Sequence, residues 1–333
     1  NWLYVGGSGP GNYSRIQDAI DNASDGDTVF VYDDTSPYYE NLEIAKNNLK
    51  LIGDNKTTTI IDGSGNGNVL YITACGVTIC GFTIQNCGDD IWENAGIYMF
   101  YSQVNTITDN IITNNNCHGI YCFNYEDPPY GFNVISKNIV TKNTFGIVLD
   151  VSYNNEVHDN YIAENQIGIF VGSSYLPSER REQSLDEYYN DIYNNTIQNN
   201  HAGIDIEPAS FTNVFQNNIM KNDYGISINP PYRTNCNYNT IYQNNIHNNT
   251  YGIHLIAIVH TMCNNNSIYQ NNIHSNTYGI MAEGDSIANN QISENNFISN
   301  GEGISLEGGS IVHNKISENN FISNTEGISL CSY

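Results

Sequence analysis

Ile292 to Leu306 reads ISENNFISNGEGISL and Ile316 to Leu330 reads ISENNFISNTEGISL, two stretches offset by 24 positions that differ only where Gly301 meets Thr325. A period in the twenties marks a solenoid, whose repeats each bury an apolar face against the next. The frame recurs upstream as IYQNNIHSNTYGIMA from Ile268, IYQNNIHNNTYGIHL from Ile241, VFQNNIMKNDYGISI from Val214, IYNNTIQNNHAGIDI from Ile192, VHDNYIAENQIGIFV from Val157 and ISKNIVTKNTFGIVL from Ile135. Every copy has Asn as its fourth residue (Asn138, Asn160, Asn195, Asn217, Asn244, Asn271, Asn295, Asn319) and as its ninth (Asn143, Asn165, Asn200, Asn222, Asn249, Asn276, Asn300, Asn324), followed by a Gly-Ile pair.

Within a copy the apolar residues alternate in short segments, such as Ile241 with Ile246 and Ile253 with Leu255, which is strand periodicity rather than helical. Copies start 22, 35, 22, 27, 27, 24 and 24 residues apart, and the variation falls after the Gly-Ile segment. Short strands joined by turns in a coil of this length are the unit of a parallel β-helix, with Ile, Leu, Val and Phe pointing inward. The Asn columns fit its corners: Asn tolerates left-handed backbone, and its amide can bond the equivalent Asn in the coils above and below.

Residues 1–27 stand outside the repeat. WLYV reads as a strand; Ser14 with Gln17 forms a capping box ahead of Ile16, Ala19, Ile20 and Ala23, whose helical spacing predicts an amphipathic helix covering the solenoid's end. Irregular coils occupy 28–106, regular repeats 107–330, and the solenoid as a whole 28–333. The pattern NxIxxNxxGIxL, with the opening YVGGSGPGNYSRIQDAIDNASDGDTVFVY, resembles the parallel β-helix repeat proteins of the pectin-lyase-like superfamily, and within it the NosD-type carbohydrate-binding and sugar-hydrolase domains. The resemblance implies an all-β, single-domain right-handed parallel β-helix of about 10–12 coils with an N-terminal capping helix. It leaves function open, since that fold carries many activities.

The chain has 11 Lys and Arg against 35 Asp and Glu, a net charge of -24, which argues against nucleic acid and anionic membranes as partners. No apolar run approaches the roughly 18 residues that would span a bilayer. Sequons at Asn12, Asn22, Asn55, Asn194, Asn248 and Asn265 are compatible with an exported glycoprotein, and Asn1 in place of an initiator Met with a mature, secreted chain. Cys236 and Cys263 each lie five residues before the start of consecutive copies and should stack, so a disulfide is expected there; Cys87 and Cys117 are a second candidate pair, and Cys122 replaces an inward aliphatic.

Chemistry is harder to find. A polyuronate lyase of the resembled superfamily would show acidic calcium ligands beside a Lys or Arg base, and the strict repeats offer only Lys137, Lys142 and Lys221. For a glycoside hydrolase the candidates are Asp205 and Glu207 in GIDIEP, both outward, with Asp150 two coils earlier. His247 and His274 share an outward position and are candidates for a metal pair without a third ligand. His158 and Asp159 are adjacent, and strand alternation should send them to opposite faces. No cofactor is implied; calcium is compatible with the charge.

Two aromatic columns are expected to face outward, Tyr193, Phe215, Tyr242 and Tyr269, and Tyr224, Tyr251 and Tyr278, suited to sugar rings, to another protein or simply to holding coils together. Insertions at 123–133, 173–190, 229–237 and 256–266 should gather at one corner as a contact surface carrying Tyr130, Tyr175, Arg180, Arg181, Tyr188, Tyr189, Tyr232 and Arg233. The last copy is as regular as any interior one, so Ile316, Phe321, Ile328, Leu330 and Cys331 are expected to meet a second copy head to tail. A scaffold this regular, without a convincing catalytic group, reads as a secreted structural protein of a cell surface or extracellular assembly. The alternative is a carbohydrate-binding or polysaccharide-cleaving module, whose partners would be cell-surface glycans.

Overall fold

The computed structural model describes residues 1–91, 93–124, 131–173, 189–231, 234–258, 260–284, 286–309 and 311–331. The chain forms two compact units, 1–165 and 166–333. Both are coils of three short strands, each strand pairing in parallel with its counterpart in the next coil. Counted along the chain, the described strands of the three series number 13, 12 and 12, in keeping with about a dozen coils.

In the second unit one coil runs Thr240–Tyr242, Asn245–His247, Tyr251–Ala257. Its inward residues sit in unbroken columns, Val214, Ile241, Ile268 and Ile292 for the first strand and Ile226, Ile253, Ile280 and Ile304 for the third. All of these are buried, and each such side chain withdrawn from water contributes about 1.5–3 kcal/mol. The first unit repeats the plan from its start. Val29, Leu51, Ile79, Ile107, Ile135 and Val157 form one column, so the coils that look irregular in sequence are already in register.

The Asn columns lie at the corners, as expected, but the left-handed residue is the one before each Asn. Lys137, Asp159, Gln216, Gln243, Gln270, Glu294 and Glu318 have φ of 54–58°. That residue turns the chain, which directs the following Asn inward. Asn271 is representative. Its Oδ1 accepts from the backbone N–H and the Nδ2 of Asn244, both at 3.0 Å, while its own Nδ2 donates to Ile241 O and Asn295 Oδ1, both at 2.9 Å. A left-handed residue with a side chain costs roughly 1–2 kcal/mol. The buried amide network offsets that cost, because it satisfies backbone groups that the corner takes out of the strand ladder.

A third Asn column, two residues before each copy, is present as well: Asn239 N donates to Asn266 Oδ1, Asn266 N to Asn290 Oδ1 and Asn290 N to Asn314 Oδ1, at 2.8–2.9 Å. The sequence carries its signal at Asn133, Asn155 and Asn190, with Thr212 replacing Asn in one copy.

At the start of the first unit the helix Ile16–Asn22 buries Ile16, Ala19 and Ile20 and packs against Trp2–Val5, Thr28–Val31 and Leu42–Ile44. The expected Ser14/Gln17 capping box does not form. Glu40, 24 residues away from Ile16, supplies the cap, its carboxylate accepting from Ile16 N at 2.8 Å and Gln17 N at 3.1 Å. A carboxylate there also suits the positive end of the helix.

The expected Cys236–Cys263 disulfide is absent, and both cysteines are free and buried. Cys236 Sγ donates to Ile206 O at 3.3 Å, and Cys263 Sγ accepts from Asn266 Nδ2 at 3.5 Å. In-register parallel neighbours carry their Cβ atoms at about the strand spacing of 4.8 Å, wider than the 3.5–4.5 Å a disulfide needs. Cys87 and Cys117 are free too, both thiols directed at Gly88 O, and Cys122 is core.

Candidate functional site

The outer face of the third-strand series in the second unit is where the polar chemistry collects. Pairing sets three rows across it. One runs Phe170, Asp205, Ser227, His254, Met281, Ser305; a second has Gly172 beside Glu207, then Ile256, Glu283, Glu307, Cys331; the third runs Ile167, Ala202, Tyr224, Tyr251, Tyr278, Glu302, Glu326.

Asp205 and Glu207 point outward, as strand alternation requires, since Ile204 and Ile206 between and before them fill the core. Asp205 nevertheless retains only 8% exposure. Asn229 Nδ2 donates to Glu207 Oε1 at 3.2 Å, and Asp205 Oδ1 is buried without a hydrogen-bond partner. Burial pushes both carboxyls above the ordinary carboxylate range, and the proximity of Asp205 pushes Glu207 further. Adjacent carboxyls with raised affinity for protons can hold one proton between them, an acid–base arrangement. The third carboxylate expected with them, Asp150, lies in the first unit, where it is fully buried and accepts from Tyr121 Oη at 2.9 Å.

His254 sits one row position beyond Ser227, 4% exposed, its ring lying parallel to Tyr251 at 4.8 Å and Tyr224 at 5.4 Å. Its Nε2 is 3.0 Å from Glu283 Oε1, and its Nδ1 is buried and unpartnered. Burial lowers its proton affinity despite Glu283, so the neutral ring donates through Nε2 and presents a bare Nδ1. Sequence reasoning missed His254, and its only signal was its place in the same outward position as Asp205. Beside it a cleft of ≈ 390 Å³ is lined by Ile256, Ile258, Glu283, Gly284, Glu307, Gly308 and Gly309. Gly308, at φ +152°, lies so close under the preceding coil that a Cβ there would meet Gly284 O at 2.0 Å.

Both aromatic columns form. Tyr193, Phe215, Tyr242 and Tyr269 stack at 4.9, 4.9 and 5.2 Å, and Tyr224, Tyr251 and Tyr278 at 5.0 and 5.2 Å, all within about 11° of parallel. Only the second column borders the carboxyl pair. Tyr189 begins another, stacking on Phe211 at 5.2 Å, which stacks on Tyr238 at 5.0 Å. Tyr130, Tyr175, Arg180, Arg181, Tyr188, Tyr232 and Arg233 lie outside the described residues.

His247 and His274 stack at 4.7 Å, and each Nε2 lies 3.2 Å from an Asn oxygen, of Asn218 and Asn245. Among the described residues no group of three His, Cys, Asp or Glu side chains is placed to hold a metal. His158 and Asp159 do meet, Nδ1 to Oδ2 at 2.8 Å, contrary to the alternation argument. Asp159 has φ 56°, a corner residue, and alternation does not continue through a corner. Ile328 and Leu330 are exposed, as is Cys331; Ile316 and Phe321 are half-buried.

The first unit's equivalent face is more aromatic. Tyr98 stacks on Tyr121 at 4.7 Å, and His118, 4.6 Å from Tyr121, has Nε2 2.7 Å from Ile91 O; burial brings its pKa down to about 4.

Columns of inward aliphatics, Asn corners and an outer face of stacked rings and carboxyls define a parallel β-solenoid. The chain belongs to the family described as right handed beta helix region, whose model matches residues 10–175, 68–230 and 184–333. Among solved structures it is similar to the A-module of the mannuronan C-5 epimerase AlgE4 of Azotobacter vinelandii (TM-score 0.70, 15% identity, covering 96% of this chain and 94% of that one). It is also similar to XylC, solved in complex with xylose (TM-score 0.66, 10% identity, 100% and 86%). One curated relative, a probable pectinesterase/pectinesterase inhibitor 17 of Arabidopsis thaliana, is 41% identical over 73 residues, which is 21% of this chain and 14% of that protein. At these identities the structural likeness establishes the fold. Among the described residues no helix is long and apolar enough to cross a membrane.

Proposed function

We propose that this chain is an extracytoplasmic polysaccharide-acting module. A glycan lies across the outer face of the second unit's third strands, Tyr224, Tyr251 and Tyr278 border it with ring edges and hydroxyls, and Asp205 and Glu207 move a proton at the bound chain. The observation that carries this reading is the outward carboxyl pair, buried together and raised in proton affinity, with an oxygen of Asp205 left unpartnered. Perturbed titratable groups of this kind collect at functional sites.

What supports it from outside the chain is that similar folds include a mannuronan C-5 epimerase, a xylose-binding structure and an α-1,3-glucanase of Streptomyces thermodiastaticus. These favour a carbohydrate role over the end-to-end structural assembly that the repeat alone suggests. The test is a screen of soluble polysaccharides for new reducing ends, unsaturated ends or altered sugar configuration, with Asp205→Asn and Glu207→Gln alongside. Each variant is expected to lose at least about 100-fold in rate with its melting curve retained, a typical loss for a proton-transfer group. Equal rates in all three proteins would remove the assigned pair.

A further inference from the structure

On the basis of that reading, we infer that the glycan taken by this face is uncharged and hydroxyl-rich rather than a polyuronate. Charge is the first reason. Among the described residues, the three rows of the second unit carry Asp205, Glu207, Glu283, Glu302, Glu307 and Glu326 and no Lys or Arg. Glu283 pairs with Glu307 and Glu302 with Glu326, so like charges repeat at the coil spacing of about 4.8 Å. Like charges at such spacings repel even in bulk water, and a chain bearing a carboxylate on every sugar would meet that repulsion repeatedly. Among the described residues of the second unit, the positive charges a polyuronate needs are elsewhere: Lys221 is a corner residue after Asn218–Met220, and Lys315 belongs to the first strand Lys315–Ser317.

Hydrogen-bond polarity is the second and independent reason. The buried unpartnered side-chain atoms on this face are Asp205 Oδ1, His254 Nδ1 and Glu302 Oε2. All three are acceptors, His254 because its Nε2 donates to Glu283 Oε1. A buried acceptor without a donor carries an uncompensated desolvation cost, so the face gains from a ligand that brings donors. Each hydroxyl of a neutral sugar brings one, whereas an ionised carboxylate brings only acceptors. The Tyr column beside these atoms, its faces covered by one another at 5.0 and 5.2 Å, adds ring edges and hydroxyls that suit a neutral, hydroxyl-rich chain.

The experiment is affinity electrophoresis followed by calorimetry of the full chain. The probes are uncharged chains (xylan, mannan, β- and α-glucans) and polyuronates (polygalacturonate, alginate), each in EDTA and in calcium. The expected result is retention by at least one uncharged glycan, unchanged within twofold between about 0.05 and 0.5 M salt because no ion pair is involved, with polyuronates at least tenfold weaker in both buffers. In the double variant Glu307→Lys/Glu326→Lys, polyuronate binding should rise at least tenfold, and a melting curve confirms that this variant folds. Polyuronate binding stronger than that of every uncharged glycan, with or without calcium, would overturn this inference and leave the carbohydrate reading standing. Retention by no glycan at all would overturn both.

Discussion

At the scale of single residues the proposed chemistry rests on groups whose titration the fold has moved. Asp205 and Glu207 are raised by burial, so the folded state holds protons that the unfolded chain has released. Stability rises with pH only where the unfolded state binds more protons; here the folded state does, and the sign is reversed. The penalty is absent below the ordinary carboxylate range and grows as pH climbs from about 4 towards the raised values. Denaturant midpoints are therefore expected to fall between pH 5 and pH 8, and Asp205→Asn/Glu207→Gln should flatten that slope; a slope unchanged by the pair would locate the effect elsewhere. His118 acts in the opposite direction. With its pKa lowered to about 4, it must charge when the chain unfolds in acid, so stability is lost as pH falls from about 6.5 towards 4, and His118→Gln should reduce that loss. The GIDIEP motif made Asp205 and Glu207 visible in the sequence. His254 and Ser227 share Asp205's place in the repeat frame, 13 residues after Ile241 and Val214, but nothing in that frame shows that burial would leave His254 Nδ1 without a partner there.

At the scale of the element, the unit is the corner rather than the strand. Strands of three residues such as Asn245–His247 have little intrinsic stability, and the columns of Asn fix where they begin and end. Asn271→Ala removes donors and an acceptor while leaving Asn244 N–H buried without its partner, and should cost about 3 kcal/mol in chemical denaturation. Gln270, the left-handed residue before it, is replaceable: Gln270→Asn keeps the turn and is expected to change stability by no more than about 0.5 kcal/mol, since Asn visits that backbone region readily. Equal losses at the two positions would contradict this division of labour. The sequence showed the columns and the amide ladder but gave Asn the left-handed turn as well, because Asn suits both roles and composition alone does not say which one it performs. The helix Ile16–Asn22 carries the same lesson. Its cap comes from Glu40, which local pattern could not reveal, and Glu40→Gln should cost about 1 kcal/mol and raise amide exchange at Ile16 and Gln17.

At the scale of the whole molecule, stacking identical positions stacks identical charges. Repetition stabilises a solenoid when the repeated group is Ile or Asn, whose neighbours complement it, and opposes it when the group is Glu. With a net charge of -24, and with pairs such as Glu283 beside Glu307 and Glu302 beside Glu326, self-repulsion is a standing cost of the fold. Those carboxylates are concentrated on the face assigned to ligand, a pattern expected where binding rather than stability sets the residues. Salt screens surface charge over about 10 Å at 0.1 M and about 3 Å at 1 M. The urea midpoint should therefore rise as sodium chloride is increased from about 0.02 to 0.5 M, where a protein held by surface ion pairs would show the reverse. Glu302→Gln/Glu326→Gln is expected to raise the low-salt midpoint and to shrink its salt dependence. If that variant is no more stable than the parent at low salt, the stacked carboxylates are neutralised by a group other than solvent ions, which calorimetric titration with calcium would identify.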